Sequence, residues 1–224
     1  MKALRFIFYI LLVVMMPVVF YMALVWVPPA MGLGDASRIL YFHVPVAWSS
    51  VLAFLAAGYY SVRYLAKEDY RYELYAWNAA FTGLVYSTLT VVTGSIWAHI
   101  SWNIWWNWDP RETSAVILLL IYIAYISLYS SLKERPGRGK ISAVYLIIAA
   151  VVMPFLVFII PRIYWSLHPD MIFNTKNKFD MESSMRITLF TSMGVFTLLY
   201  FFIINLMNRA AVLEKKIQEK IHDN

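Results

Sequence analysis

The sequence of 224 residues contains no cysteine. That absence excludes disulfides, thiolate metal sites, cysteine nucleophiles and thioether attachment of a prosthetic group. Any metal held by this chain takes its protein ligands from His, Met, Tyr or carboxylates. Charge is scarce as well. Only 14% of residues are charged, against about 25% in ordinary soluble domains. No internal repeat and no low-complexity linker interrupts the chain, which reads as one domain, residues 1–224.

What replaces charge is long apolar runs. Hydrophobic residues make up 61% of the chain and the mean hydropathy is +0.62. The runs are about 20 residues long, enough for an α-helix to cross a hydrocarbon core of about 30 Å. They predict an all-α integral membrane protein with six transmembrane helices, near 4–27, 46–64, 76–96, 114–132, 141–160 and 187–207. The first run is longer than a signal-peptide core and lacks a small-residue cleavage site, so it reads as an uncleaved span. No Asp, Glu, Lys or Arg falls in the middle of a span, which argues against a coupled transporter or a channel.

Lysine and arginine set the orientation. Thirteen of the 19 fall at the N-terminus, in the two turns near 63–75 and 133–140, and in the C-terminal tail. The other six are Arg38, Arg111, Arg162, Lys176, Lys178 and Arg186. Both termini are therefore expected in the cytoplasm, with the loops at 28–45, 97–113 and 161–186 outside. That sorting puts His43, His99 and His168 on the outer side, one per loop, and leaves His222 in an alternately charged helical tail.

The loop near 97–113 is the most unusual stretch. Trp97, Trp102, Trp105, Trp106 and Trp108 are five of the nine tryptophans, within twelve residues. If residues 100–108 are helical, Trp102, Trp105 and Trp106 share a face and Asn103 and Asn107 share another. Such a segment would lie in the membrane interface. An aromatic belt explains tryptophan at interfaces generally, but it spreads its rings over all helix ends. Indole faces also suit a large planar ligand. Composition alone leaves belt and ligand platform open.

Asp109, Pro110 and Glu112 read as N-cap, N1 proline and capping-box acid of the fourth span. Arg111 suits pairing with a ligand carboxylate, or else snorkels to the interface. His43 stands at the start of the second span, where the helix dipole favours a neutral imidazole. His168 follows the fifth span. Each alone reads as an interfacial side chain. Together, beside an aromatic platform, they are a candidate pair of axial iron ligands. His99 competes from within the tryptophan segment.

The pattern Trp97, Trp102, Trp105, Trp106, Trp108, Asp109, Arg111 and Thr113 resembles the WWD signature of haem-handling proteins in cytochrome c biogenesis. With six spans, His43 in YFHVP and His168 in YWSLHP, the chain is most similar to the CcmC type over essentially its whole length. The resemblance implies non-covalent haem b on the outer, periplasmic side of the inner membrane. It implies His43 and His168 as haem-iron ligands, and Trp102, Trp105, Trp106 and Trp108 with Asp109 as the platform. It also implies presentation of haem to the chaperone CcmE, alongside the ABC subunits CcmA and CcmB and the small membrane protein CcmD. Asn103, where the family commonly has Gly, and Glu112, where Leu is common, depart from the pattern.

The expectation is a haem carrier and transfer platform in the lipid bilayer. No nucleophile–base pair is visible, so no enzyme is expected. A haem permease is the alternative, although the spans offer only scattered Thr and Asn such as Asn78, Thr82 and Thr90 as a polar path. An electron-transfer cytochrome would place paired histidines within spans, and a structural subunit would need only the belt.

Overall fold

The computed structural model describes residues 2–133, 135–168 and 181–222. Lys176, Lys178 and Pro169 lie outside the described residues. Among the described residues the regular elements are helical. They are α1 (Lys2–Tyr21), α2 (Leu40–Lys67), α3 (Tyr70–Trp102), α4 (Pro110–Ser131), α5 (Arg138–Pro154), the short α6 (Ile160–Ile163) and α7 (Ser183–His222). A π-helical turn, Met22–Trp26, extends α1, and another, Phe155–Ile159, joins α5 to α6. Six helical segments are long and apolar enough to cross a membrane: Phe6–Trp26, Asp35–Lys67, Tyr70–Trp102, Pro110–Ser131, Arg138–Ile163 and Ser183–Ile221.

The spans coincide with the apolar runs, but several helices outlast them. α3 has 33 residues, about 50 Å of helix, against a hydrocarbon core of about 30 Å. Its last turns therefore project past the core as rigid helix. Nothing stops it before Asn103, which adopts the left-handed conformation (φ 57°) and donates its amide to the His99 carbonyl at 2.9 Å. Asparagine tolerates that conformation better than most residues, after glycine. The glycine expected at Asn103 is thus replaced by the next most suitable residue. Glu68 (φ 50°) ends α2 in the same way, and Asp69 caps α3 by accepting the Arg71 amide, so two residues suffice for the turn.

Prolines within the spans have local solutions. Pro45 cannot donate to the carbonyl four residues back, that of Tyr41. The Ser192 hydroxyl, from α7, donates to that carbonyl instead. Pro154 is followed by the wider π turn, a common adjustment where the helical ladder is broken. Val27 turns extended (φ −80°, ψ 130°) ahead of Pro28 and ends the first span. Arg38 then donates to the carbonyls of Ala23 and Val27 at 2.9 and 3.3 Å, tying that end down.

Small residues bring α2 against its neighbours. The Phe54 ring lies on Gly83 of α3 and stacks on Tyr122 of α4 at 3.5 Å, while Gly58 abuts Ala150 of α5. A side chain at either glycine would collide with these groups. α7 is fastened by an Asn78–Asn208 hydrogen bond (2.9 Å) and by the Trp48 indole donating to Thr197 (3.1 Å). At the end of the bundle away from residues 97–108, Glu73 pairs with Arg138 at 3.0 Å and accepts the Tyr129 hydroxyl at 3.1 Å.

Candidate functional site

The other end of the bundle gathers the start of α2, the end of α3, the start of α4 and the segment after α6. His43 is the fourth residue of α2, so it belongs to a helix and not to the preceding loop. Its ring lies over Gly94, where a Cβ would come within 3.0 Å of Cε1. Nδ1 is 2.9 Å from the Thr93 hydroxyl. That hydroxyl gives its own proton to the Leu89 carbonyl at 2.7 Å, the usual back-bond of a helical threonine. It can therefore only accept from His43, which places the imidazole proton on Nδ1 and the lone pair on Nε2.

His168 is held by the start of α4. Its Nδ1 is 3.0 Å from Oδ1 of Asp109, whose side chain is buried. The same carboxylate accepts the Arg111 amide (2.8 Å), the Leu167 amide (2.8 Å) and the Ser166 hydroxyl (2.8 and 3.0 Å). Ser166 in turn accepts the His168 amide at 3.1 Å. Burial alone would raise the Asp109 carboxyl, but these donors outweigh it and hold it below the ordinary carboxylate range. Burial also pushes the His168 imidazole down, against the pull of Asp109 and with help from the nearby Arg111 charge. In its neutral form His168 points its Nδ1 proton toward Asp109 and leaves its Nε2 lone pair open.

Asp109 is the N-cap that the sequence suggests, since it accepts the Arg111 amide and its carbonyl accepts from Thr113. Capping is only part of its work. It also pins the segment that carries His168. Glu112 faces the Asp109 amide, as a capping-box acid does, and it also accepts the Asn107 amide at 3.1 Å, two residues before the cap. Asn107 accepts the Asp109 amide at 2.9 Å. The turn that results leaves Trp108 at φ 60° with three quarters of its surface exposed.

The tryptophans divide into two sets. Residues 103–109 are not helical, because Asn103 ends α3, so the face shared by Trp102, Trp105 and Trp106 does not form. Asn103 and Asn107 likewise do not share a helical face. Trp97 and Trp102 stand at the end of α3, edge to face at 4.9 Å, and both flank the His168 ring, at 5.6 and 5.2 Å. Trp105 stacks on His99 at 4.1 Å, and Trp106 meets Trp108 edge to face at 5.9 Å. Trp105, Trp108 and Trp165 expose most of their surface. The stacking occupies one face of His99, whose Nδ1 is buried without a hydrogen-bond partner, while His43 and His168 each have Nδ1 held and an Nε2 with no hydrogen-bond partner among the described residues.

His43 and His168 thus meet α3 on successive turns, one at Thr93 and Gly94, the other at Trp97. These anchor points lie about 6 Å apart along the helix axis. Thr93, Gly94 and Ser166 were missed by the sequence reading. Their signal, a small or hydroxylated residue beside each histidine's neighbour, exists only once the fold pairs distant segments. No cluster of three or more metal-ligating side chains forms among the described residues. Two imidazoles suit a metal that brings its own equatorial ligands, and the flanking indoles suit a planar ring around it. The donor set fits haem.

A multi-pass membrane protein with a paired-histidine, tryptophan-walled site at one end of its bundle is the class so defined. A family model described as CcmC, heme exporter protein C, matches residues 1–223. The chain belongs to this family, which handles haem in cytochrome c maturation. It is 25% identical over 184 residues to heme exporter protein C of Paracoccus denitrificans, covering 82% of this chain and 76% of that one. To the protein of that name in Escherichia coli K12 it is 29% identical over 167 residues, 74% and 66% of the two chains. A ccmC-like mitochondrial cytochrome c biosynthesis protein of Marchantia polymorpha is 31% identical over 135 residues, 60% and 57%. The chain therefore spans between just over half and about three quarters of these relatives.

Proposed function

We propose that this protein binds haem b non-covalently at the extracytoplasmic membrane surface and presents it to a periplasmic chaperone of the CcmE type. His43 and His168 bind the iron through Nε2. Trp97 and Trp102 wall the site beside His168, and Trp105, Trp106 and Trp108 form its outer rim. Arg111, half-buried beside His168, is the residue for a haem propionate. Arg38 is engaged elsewhere, with the Ala23 and Val27 carbonyls and with Asp35 at 2.9 Å. The bound group supplies iron and a flat ring, and the protein supplies ligands, orientation and a hydrophobic wall.

The observation that carries this reading is the pair of histidines, distant in sequence, each with Nδ1 held and Nε2 open at one end of the bundle. The charge distribution supports termini in the cytoplasm and a site on the outer face. The family supports an assembly with CcmA, CcmB and CcmD. We read the protein as a carrier and not as an enzyme. The alternative permease role needs a polar route through the spans. Asn78 and Thr82 instead bond across to α7, and Thr90 bonds back to the Tyr86 carbonyl.

Purified protein should show a six-coordinate low-spin haem spectrum. His43→Ala combined with His168→Ala should abolish it and stop haem transfer to the chaperone. An unchanged spectrum and haem content in the double variant would overturn the ligand assignment.

A further inference from the structure

The two histidines are not held alike. His43 is held by neutral groups of α3: its Nδ1 proton goes to the Thr93 hydroxyl at 2.9 Å, and the Thr90 backbone carbonyl also accepts from the ring. His168 gives its Nδ1 proton to a buried carboxylate at 3.0 Å, and that carboxylate also takes the neighbouring Ser166 hydroxyl and Leu167 amide. A carboxylate behind an imidazole increases its strength as a ligand, and a neutral hydroxyl does so far less. The same carboxylate fixes the backbone on either side of Leu167, so the ring is oriented by its segment as well as by its own bond. Both differences point the same way.

We propose that the two ligands are unequal by construction: Asp109 makes His168 the retained ligand, and Thr93 positions His43 as the one released first when the cargo leaves. This deepens the haem-carrier reading and rests on it. Thr93 and Asp109 are positioning residues. Each acts through the imidazole behind which it sits, Thr93 by fixing the tautomer and Asp109 by fixing tautomer, orientation and donor strength. Gly94 belongs to the same arrangement, because its missing side chain lets the His43 ring lie against α3. A ligand supported only by neutral acceptors, with no carboxylate behind it, can swing away without disturbing α2. Release of His168 would require breaking the contacts that tie residues 166–168 to the start of α4. A receiving protein therefore meets iron opened on the His43 side while His168 still retains it.

The test uses the whole chain in detergent micelles, titrated with ferric haem b. His43→Ala should retain haem about tenfold or more tighter than His168→Ala, the scale on which second-shell partners act. Placing Asp109→Asn on the His43→Ala background should erase most of that advantage. Asparagine is as good an N-cap as aspartate, so α4 still starts correctly. In an otherwise intact site, Thr93→Val should let added imidazole replace one ligand at lower concentration, and Thr93→Ser should restore the native behaviour. A readout without haem is available in the imidazole nitrogen-15 shifts. Both histidines should be Nδ1–H tautomers, with Thr93→Val changing only His43. Equal retention by the two single variants, or tighter retention by His168→Ala, would overturn the inequality. Loss of haem in the double variant with equal singles removes this inference alone, whereas no loss in the double variant removes the haem site itself.

Discussion

Trp108 has a bulky side chain held at φ 60°, a conformation that costs about 1–3 kcal/mol for a residue other than glycine. The strain is maintained from both sides, by Asn107 accepting the Asp109 amide and by Glu112 accepting the Asn107 amide. It leaves a large indole standing out from the surface immediately before the residue that holds His168. Trp108→Gly should relieve the strain and raise the apparent melting temperature of the haem-free protein. Haem transfer to the chaperone should fall in the same variant. A variant with unchanged transfer would assign Trp108 to the membrane interface alone. At this scale the sequence was informative about identity and poor about conformation. Asp109 was recognisable as a cap from its spacing to Pro110 and Glu112. Its grip on Ser166, Leu167 and His168 was not, because those residues are more than fifty positions away. The share of the tryptophans was also misjudged, since a single left-handed residue, Asn103, decides where the helix face ends.

α3 is the element on which the site is built. Its last three turns carry Thr93, Gly94, Trp97 and Trp102, and its length makes them rigid where a loop would let them drift. Gly94→Ala would put a methyl group 3.0 Å from Cε1 of His43, closer than carbon atoms sit at their optimum of about 3.5–4.0 Å. Either the His43 ring must tilt or α2 must shift. Haem retention should fall at least several-fold while the helical content stays native, checked by circular dichroism beside the haem titration. Retention equal to the native protein would mean that His43 does not depend on its seat against α3. The hydrophobic runs made α3 legible as a span, but they ended it at residue 96. Hydropathy falls there because the chain leaves the hydrocarbon, whereas the helical hydrogen bonds continue to Trp102. α7 repeats the lesson. Its charged end remains helical to His222, as its alternating charge suggested, with Lys215 lying over the Tyr70 ring at 4.2 Å.

Across the whole molecule, the two ends of the bundle have separate tasks. Glu73, Arg138 and Tyr129 clasp α3, α4 and α5 at the end away from residues 97–108. Hydrogen bonds to charged groups contribute about 1.5–3 kcal/mol each, and partial solvent access lowers the figure here. Glu73→Gln should therefore lower the melting temperature by a few degrees while leaving the haem spectrum and transfer unchanged. A spectral change would show that the clasp communicates with the site. The six-span architecture was legible from apolar runs alone, because lipid demands them. The gathering of His43 and His168 at one end of the bundle was expected only as a shared side of the membrane, since it requires the packing of α2, α3 and α4. An experimental structure of the haem-loaded protein tests the central claim most directly. The account predicts iron bound by Nε2 of His43 and Nε2 of His168, with Nδ1 of each still on Thr93 and Asp109. Iron bound instead by His99, or through Nδ1 of either histidine, would contradict it.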